Sequence, residues 1–186
     1  MSAEAVGRHM PGTITLDDLA AMISADTHGR RYETSPGGAL FVVPPPDSLH
    51  AKIASRLVAW LLTAGLPVDQ VLQVAGIRIP GPGGDAGRIP DVTVWSRPPP
   101  DAVWLPVRDL LLVIEIVSPG SEAIDQGVKV FEYATAGIPR YWTVARDVAQ
   151  TVTMYRIGAD GVYEVETKQP LTWLLQTDAT SLHLHG

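Results

Sequence analysis

Between Leu110 and Ile116 six apolar residues are broken by a single carboxylate, Glu115. A run this dense predicts a strand buried on both faces, from Leu110 to Val117. Helical spacing appears elsewhere. Leu49, Ile53, Leu57 and Trp60 form one stripe, predicting a helix from Ser48 to Thr63 with Asp47 as N-cap and Gly65 as its stop. Leu16 to Ile23 predicts a shorter helix, with Thr15 as N-cap and Asp17 and Asp18 in its first turn. A third helix is expected from Ser121, its N-cap, to Ala136, with Ile124, Val128, Phe131 and Thr135 facing inward and Gly137 and Pro139 ending it. Strands are expected at Arg31–Thr34 and Ala39–Val43 about an SPGG turn, with Pro44, Pro45 and Pro46 ending the second. Val71–Ile79 and Arg88–Trp95 predict an antiparallel pair about GPGGDAG. Further strands are expected at Arg140–Ala145, Thr151–Ile157 and Val162–Thr167, before a last short segment at Leu171–Leu175. The order does not alternate strictly, so the expected fold is α/β, an α+β-like mixed sheet flanked by helices.

Length and composition narrow the picture. The 186 residues suit one domain over 13–186, preceded by a mobile tail over 1–12. A hydrophobic content of 46% supports a packed core. No apolar stretch approaches membrane-spanning length, and MSAEAVGRHMPGT lacks a signal-peptide core. Cysteine is absent, which excludes disulfides, thiolate metal sites and cysteine nucleophiles. These features favour a cytoplasmic protein. The net charge of −6 argues against strong nonspecific binding to phosphate backbones. A local basic patch stays open, with Arg30, Arg31, Arg56, Arg78, Arg88, Arg97 and Arg108 as its candidates.

Candidate chemistry centres on two carboxylates. A charged Glu115 inside an apolar strand is expensive unless it has a partner or a function. Asp91, in RIPDVTVW, opens a neighbouring β-rich run. Each has a plain alternative: Asp91 as a turn carboxylate capping its strand, Glu115 as half of a structural salt bridge. Lys129 follows Asp125 by four residues, the favourable order for a pair on a helix surface, and it lies off the predicted inner stripe. Its functional alternative is to orient water or stabilise charge on a phosphate. His50, in the first turn of its helix, and Glu33, at a strand beginning, stand between boundary positions and site residues. Ser118 and Ser121 lack a nucleophile-elbow pattern, and no P-loop or Rossmann glycine fingerprint exists. The two histidines of the terminal LHLHG read as a frayed tail.

These pieces together resemble the Uma-two family, a widespread bacterial family of restriction-endonuclease-like proteins in the PD-(D/E)XK nuclease superfamily. The resemblance runs from about Ile14 to Val165. It is carried by RYE at Arg31–Glu33, VVPPPDSLH ending at His50, and Pro90–Asp91 in RIPDVTV. It continues through Glu115-x-x-Ser118 in VIEIVSPGS, then Asp125, Lys129 and Tyr133 in D-x-x-x-K-x-x-x-Y, and AGIPRYWTV. There are two departures. Val117 stands where the superfamily lysine normally follows the acid, so the lysine's place passes to Lys129 on the next helix. Ala39 stands where family members often carry an acid after the turn glycine.

The resemblance implies a restriction-endonuclease-like core, with Asp91 and Glu115 binding Mg²⁺, for which Mn²⁺ is a possible substitute. It implies metal-dependent hydrolysis of phosphodiester bonds in nucleic acid, DNA before RNA. Asp91, Glu115 and Lys129 are then the catalytic set, with Glu33, His50 and Asp125 in support. A different class stays open: a nuclease-fold binding or assembly module without efficient turnover. A carboxylate-pair hydrolase acting on sugars lacks the clustered aromatics of a sugar cleft. Exposed sheet edges leave room for a homodimer.

Overall fold

A computed structural model describes residues 14–43 and 45–178; the expected tail at 1–12 and the terminal LHLHG lie outside the described residues. The chain begins with α1 (Leu16–Ala25), closed by the reciprocal capping box of Thr15 and Asp18. A small hairpin comes next, β1 (Arg31–Thr34) with β2 (Leu40–Val43), then α2 (Ser48–Thr63), capped by Asp47 as its sequence predicts. Gly65, at φ +93°, takes the left-handed conformation that releases the chain after α2.

The main sheet has six strands. They are β3 (Val71–Gln73), β6 (Val92–Trp95), β8 (Leu110–Ile116), β9 (Arg140–Val144), β10 (Thr151–Ile157) and β11 (Tyr163–Pro170). Their spatial order is β11-β10-β9-β8-β6-β3, with β8 and β9 parallel and the other pairs antiparallel. A second sheet holds β4 (Ile77–Ile79) between β5 (Ala86–Arg88) and β7 (Leu105–Pro106). The mixed α/β architecture agrees with the expectation. No helix among the described residues is long and apolar enough to cross a membrane.

The predicted long pair Val71–Ile79 with Arg88–Trp95 is divided between these two sheets. Val71 faces Val94 in one, and Ile77 faces Arg88 in the other. Both ladders keep one register, so they form a single hairpin bent in the middle. The inner corner is Val74, whose N–H donates to the Asp91 carbonyl at 3.3 Å. Val74 sits at φ 55°, where a β-branched side chain is strained. Nearby, a Cβ on Gly76 would lie 2.5 Å from the Val103 carbonyl oxygen, so only glycine fits there. The bend leaves Asp91 at a sheet corner. Val74→Gly removes strain of about 1–3 kcal/mol against about 0.5–1 kcal/mol of added chain entropy. Chemical denaturation is therefore expected to show a gain of about 1 kcal/mol.

The period-two pleat of β8 sorts its side chains. Leu112, Ile114 and Ile116 face α2 and pack with Ile53, Leu57, Leu61 and Trp142 in the larger core. Val113 faces the opposite layer, with Tyr133, Ile138 and Tyr141. Glu115 shares that side, which puts it under the helical segment that succeeds β8.

That segment departs from expectation. Ile124–Val128 is a π turn, with the Lys129 N–H donating to the Ile124 carbonyl, and α3 continues over Lys129–Thr135. A π turn carries an extra residue and rotates the helix beyond it. The predicted inner stripe is displaced: Val128 is 44% exposed and Phe131 74%. The buried face is instead Asp125, Lys129, Glu132 and Tyr133. A terminal turn, α4 (Leu171–Leu174), buries Leu171 and Leu174 in the larger core.

Candidate active site

Antiparallel pairing of β6 and β8 matches Val92 with Ile114. One step further the same register sets Asp91 opposite Glu115. Asp91 is held by two donors: the Ile116 N–H reaches Oδ2 at 2.7 Å, and His50 Nε2 lies 2.9 Å from Oδ1. His50 comes from the first turn of α2, where the Asp47 cap fixes its backbone N–H. Its other ring nitrogen lies 3.4 Å from Ser118 Oγ, just past the end of β8. Ser118, His50 and Asp91 thus form one chain of polar contacts ending on the carboxylate.

Glu115 Oε1 accepts from Lys129 Nζ at 2.8 Å and from Tyr133 Oη at 2.9 Å. Lys129 also lies 3.1 Å from Asp125 Oδ1 and 3.7 Å from Glu33 Oε2. The spacing 125, 129, 133 brings all three side chains over Glu115 from one helical face. Asp125 is fixed in turn by Ser121 Oγ, 2.6 Å from Oδ2. The expected pair of Lys129 with Asp125 four residues before it forms, but it is buried in the cluster and not on the helix surface. The charge of Lys129 is disfavoured by burial, yet Glu115, Glu33 and Asp125 together hold the ammonium above its ordinary range. Glu115 is pushed up to about 8, first by burial and then by Asp91, Asp125 and Glu33, against the pull of Lys129. Burial also raises Tyr133 well above its ordinary value, keeping its hydroxyl protonated as a donor.

A second buried pairing adjoins this one. Arg88, fully buried, makes a fork to Glu132 at 2.8 and 2.9 Å and reaches Glu33 Oε2 at 3.1 Å. Glu33 Oε1 accepts the Ile89 N–H at 2.8 Å, one residue before Pro90–Asp91. Glu33 therefore ties the β1–β2 hairpin to the Asp91 corner, and it neighbours Lys129 without contacting Asp91. The structure thus brings all six candidates, Asp91, Glu115, Lys129, Glu33, His50 and Asp125, to one cavity of about 570 Å³.

The basic patch left open by the sequence does not assemble. Arg78 pairs with Asp85, Arg97 and Arg108 pair with Asp109, and Arg88 is internal. Of the seven arginines only Arg31 and Arg88 line the cavity, joined there by Arg146. Sequence reasoning missed Arg88 and Glu132 as members of the cluster, and it met Tyr133 only as part of a motif. The steps of four and three residues from Asp125 through Lys129 to Glu132 were the available signal. Among the described residues, no three His, Asp or Glu side chains gather into a cage that would hold a metal by protein ligands alone.

Known proteins share this architecture. The Uma-two (Uma2) family model, described as "Putative restriction endonuclease", matches residues 16–184. No curated protein matches the chain. A solved structure from Anabaena variabilis, titled as a "putative nuclease belonging to DUF820", superposes with a TM-score of 0.56. It is 22% identical and the match covers 74% of this chain and 78% of that one, a likeness of fold.

Proposed function

The chain belongs to the Uma2 family, described as "Putative restriction endonuclease", and on that premise we propose that it is a metal-dependent endonuclease hydrolysing phosphodiester bonds of DNA. The observation that carries this reading is the convergence of Asp91 and Glu115 at the cavity floor with the Lys129 ammonium 2.8 Å from Glu115. Asp91 and Glu115 would hold Mg²⁺, with Mn²⁺ as a substitute. The donor set suits such an ion. Mg²⁺ commonly takes one or two carboxylates and fills its other positions with water and substrate phosphate. Three carboxylates (Glu33, Glu115 and Asp125) surround Lys129, with Asp91 opposite Glu115, and a divalent cation offsets the negative charge that Lys129 and Arg88 leave uncompensated. When bound, the ion lowers the pKa of a water and neutralises charge on the scissile phosphate.

The remaining work falls to the side chains. Lys129, kept charged by its carboxylates, supplies positive charge toward the pentavalent transition state. Glu115 and Asp125 fix its ammonium, so little reorganisation is needed. His50, braced by Ser118, orients Asp91. In the net reaction a water oxygen bonds to phosphorus, one bridging P–O bond breaks, and the leaving oxygen takes up a proton.

The test is cleavage of supercoiled plasmid with Mg²⁺ or Mn²⁺, beside Asp91→Ala. Cleavage is expected to need the metal and to vanish in the variant, which still folds. A fully active Asp91→Ala protein would remove Asp91 from the chemistry. A binding or assembly module is the second reading, favoured by one observation: both Asp91 oxygens already have donors. Metal binding without cleavage by folded protein would support that module.

A further inference from the structure

Taking the nuclease reading as its basis, we infer that the substrate is an unpaired strand of DNA, not an intact duplex. Three observations lead there. The first is depth. Asp91, Glu115 and Lys129 are 7%, 4% and 5% exposed, so the acids lie on a cavity floor. A scissile phosphate has to descend to them. A duplex is stiff over about 150 base pairs and presents its phosphates on the outside of a rod. A single strand bends at every nucleotide and can enter.

The second is the wall above the floor. The β1–β2 hairpin and the Pro45–Pro46 segment line one side of the cavity. Phe41 and Val43 pair with Glu33 and Arg31 and so share the face turned to the acids, whereas Leu40 and Val42 share the face of Tyr32, which packs toward α1. Pro45 and Pro46, just past β2, are exposed and line the cavity. Phe41 lies under the Arg88 guanidinium, 4.9 Å from Cζ to the ring centroid. Arg88 thereby pins the hairpin over the acids. Exposed apolar side chains beside a phosphate site suit the flat face of an unstacked base, which paired bases inside a duplex do not offer.

The third is charge. Proteins that grip duplex DNA neutralise a run of phosphates with a row of cations. Here Arg88 and Lys129 are consumed by buried carboxylates, and Arg146 lies 2.6 Å from Asp47. Arg31 lines the mouth and forms no ion pair among the described residues. Such a set serves one or two phosphates of a strand end, a flap or a loop.

The experiment compares one labelled oligonucleotide in three forms: single-stranded, fully paired, and paired except for a central bubble. Initial cleavage rates are measured with full-length protein in Mn²⁺. Fluorescence anisotropy of the same three probes is measured with Glu115→Gln protein. The single strand and the bubble are expected to be bound and cut at least about tenfold better than the duplex. Pro45→Asp, at an exposed position on the cavity wall, is expected to raise KM for the single strand with Tm unchanged. Equal cleavage of duplex and single strand, or an unchanged KM in Pro45→Asp, overturns the inference and leaves the nuclease standing. Tenfold preferential binding of the single strand without cleavage of any probe does the reverse: it keeps an unpaired strand as what the cavity takes, as ligand and not substrate, and sinks the nuclease. Absence of both binding and cleavage overturns both.

Discussion

Replacing Lys129 with Met is expected to slow DNA cleavage by about 100- to 1,000-fold, the usual cost of losing one group that stabilises charge in a transition state. The side chain contributes the ammonium 2.8 Å from Glu115 and 3.1 Å from Asp125. Methionine keeps much of its length and fills the same slot without charge. The variant is expected to melt at a lower temperature, since Glu33, Glu115 and Asp125 lose their shared ammonium. It is expected to stay folded because these carboxylates can take up protons; Glu115 is already pushed up to about 8 with the lysine present. Single-turnover rates measured beside thermal melts separate the two effects. A cooperative melt well above the assay temperature with the rate collapsed assigns Lys129 to the chemistry. A rate close to wild type removes it. Lys129→Arg keeps the charge but spreads it over a planar fork, and is expected to recover only a small part of the rate. Wild type is expected to gain Tm on adding Mg²⁺, and Glu115→Gln, which retains an acceptor for Lys129 and Tyr133 but loses the anion, is expected to lose that gain.

The chain is legible where its patterns are one-sided. The stripe of α2 and its Asp47 cap are local signals, and the helix forms within the predicted bounds. β8 is apolar on both faces because helices cover both, so Glu115 stands out as an anomaly. The α3 region defeats the same logic. Periodicity assumes that the buried face is the apolar one. Here Asp125, Lys129 and Glu132 go inward because Glu115, Glu33 and Arg88 meet them, while Phe131 is left outside. Those partners lie on other strands, and no local window holds them. The π turn compounds the error by shifting the helical phase. The bend at Val74 was unreadable for a related reason. Valine favours strands, and its positive φ is imposed by the two sheets that the hairpin has to join. Arg88 reads as one more surface arginine until its strand is seen to run under α3.

Arg88 carries the largest expected effect on stability. Arg88→Met is expected to cost about 3–5 kcal/mol, and to lower Tm by roughly 6–20 °C in a chain of this size. The loss comes from what stays behind. Glu33 and Glu132 are 3% and 6% exposed, and removal of the guanidinium leaves both carboxylates buried with fewer partners. pH provides a signature that a simple packing defect lacks. Burial raises the pKa of Glu33, but the charges of Lys129 and Arg88 more than reverse it, so its folded value lies below 4.5. In wild type Glu33 therefore adds stability above the ordinary carboxylate range, and that stability is lost on acidification. Without Arg88 the balance turns: burial dominates, the folded values of Glu33 and Glu132 rise, and the folded variant holds protons more tightly than its unfolded chain. The Tm gap between the two proteins is thus expected to be widest at neutral pH and to narrow as pH falls toward 4.5. Adding Glu132→Leu to Arg88→Met is expected to return part of the loss, since it removes one stranded carboxylate and fills its space with apolar atoms. A gap that is flat with pH, and unmoved by the second substitution, would show that Arg88 acts by its volume and not by its charge.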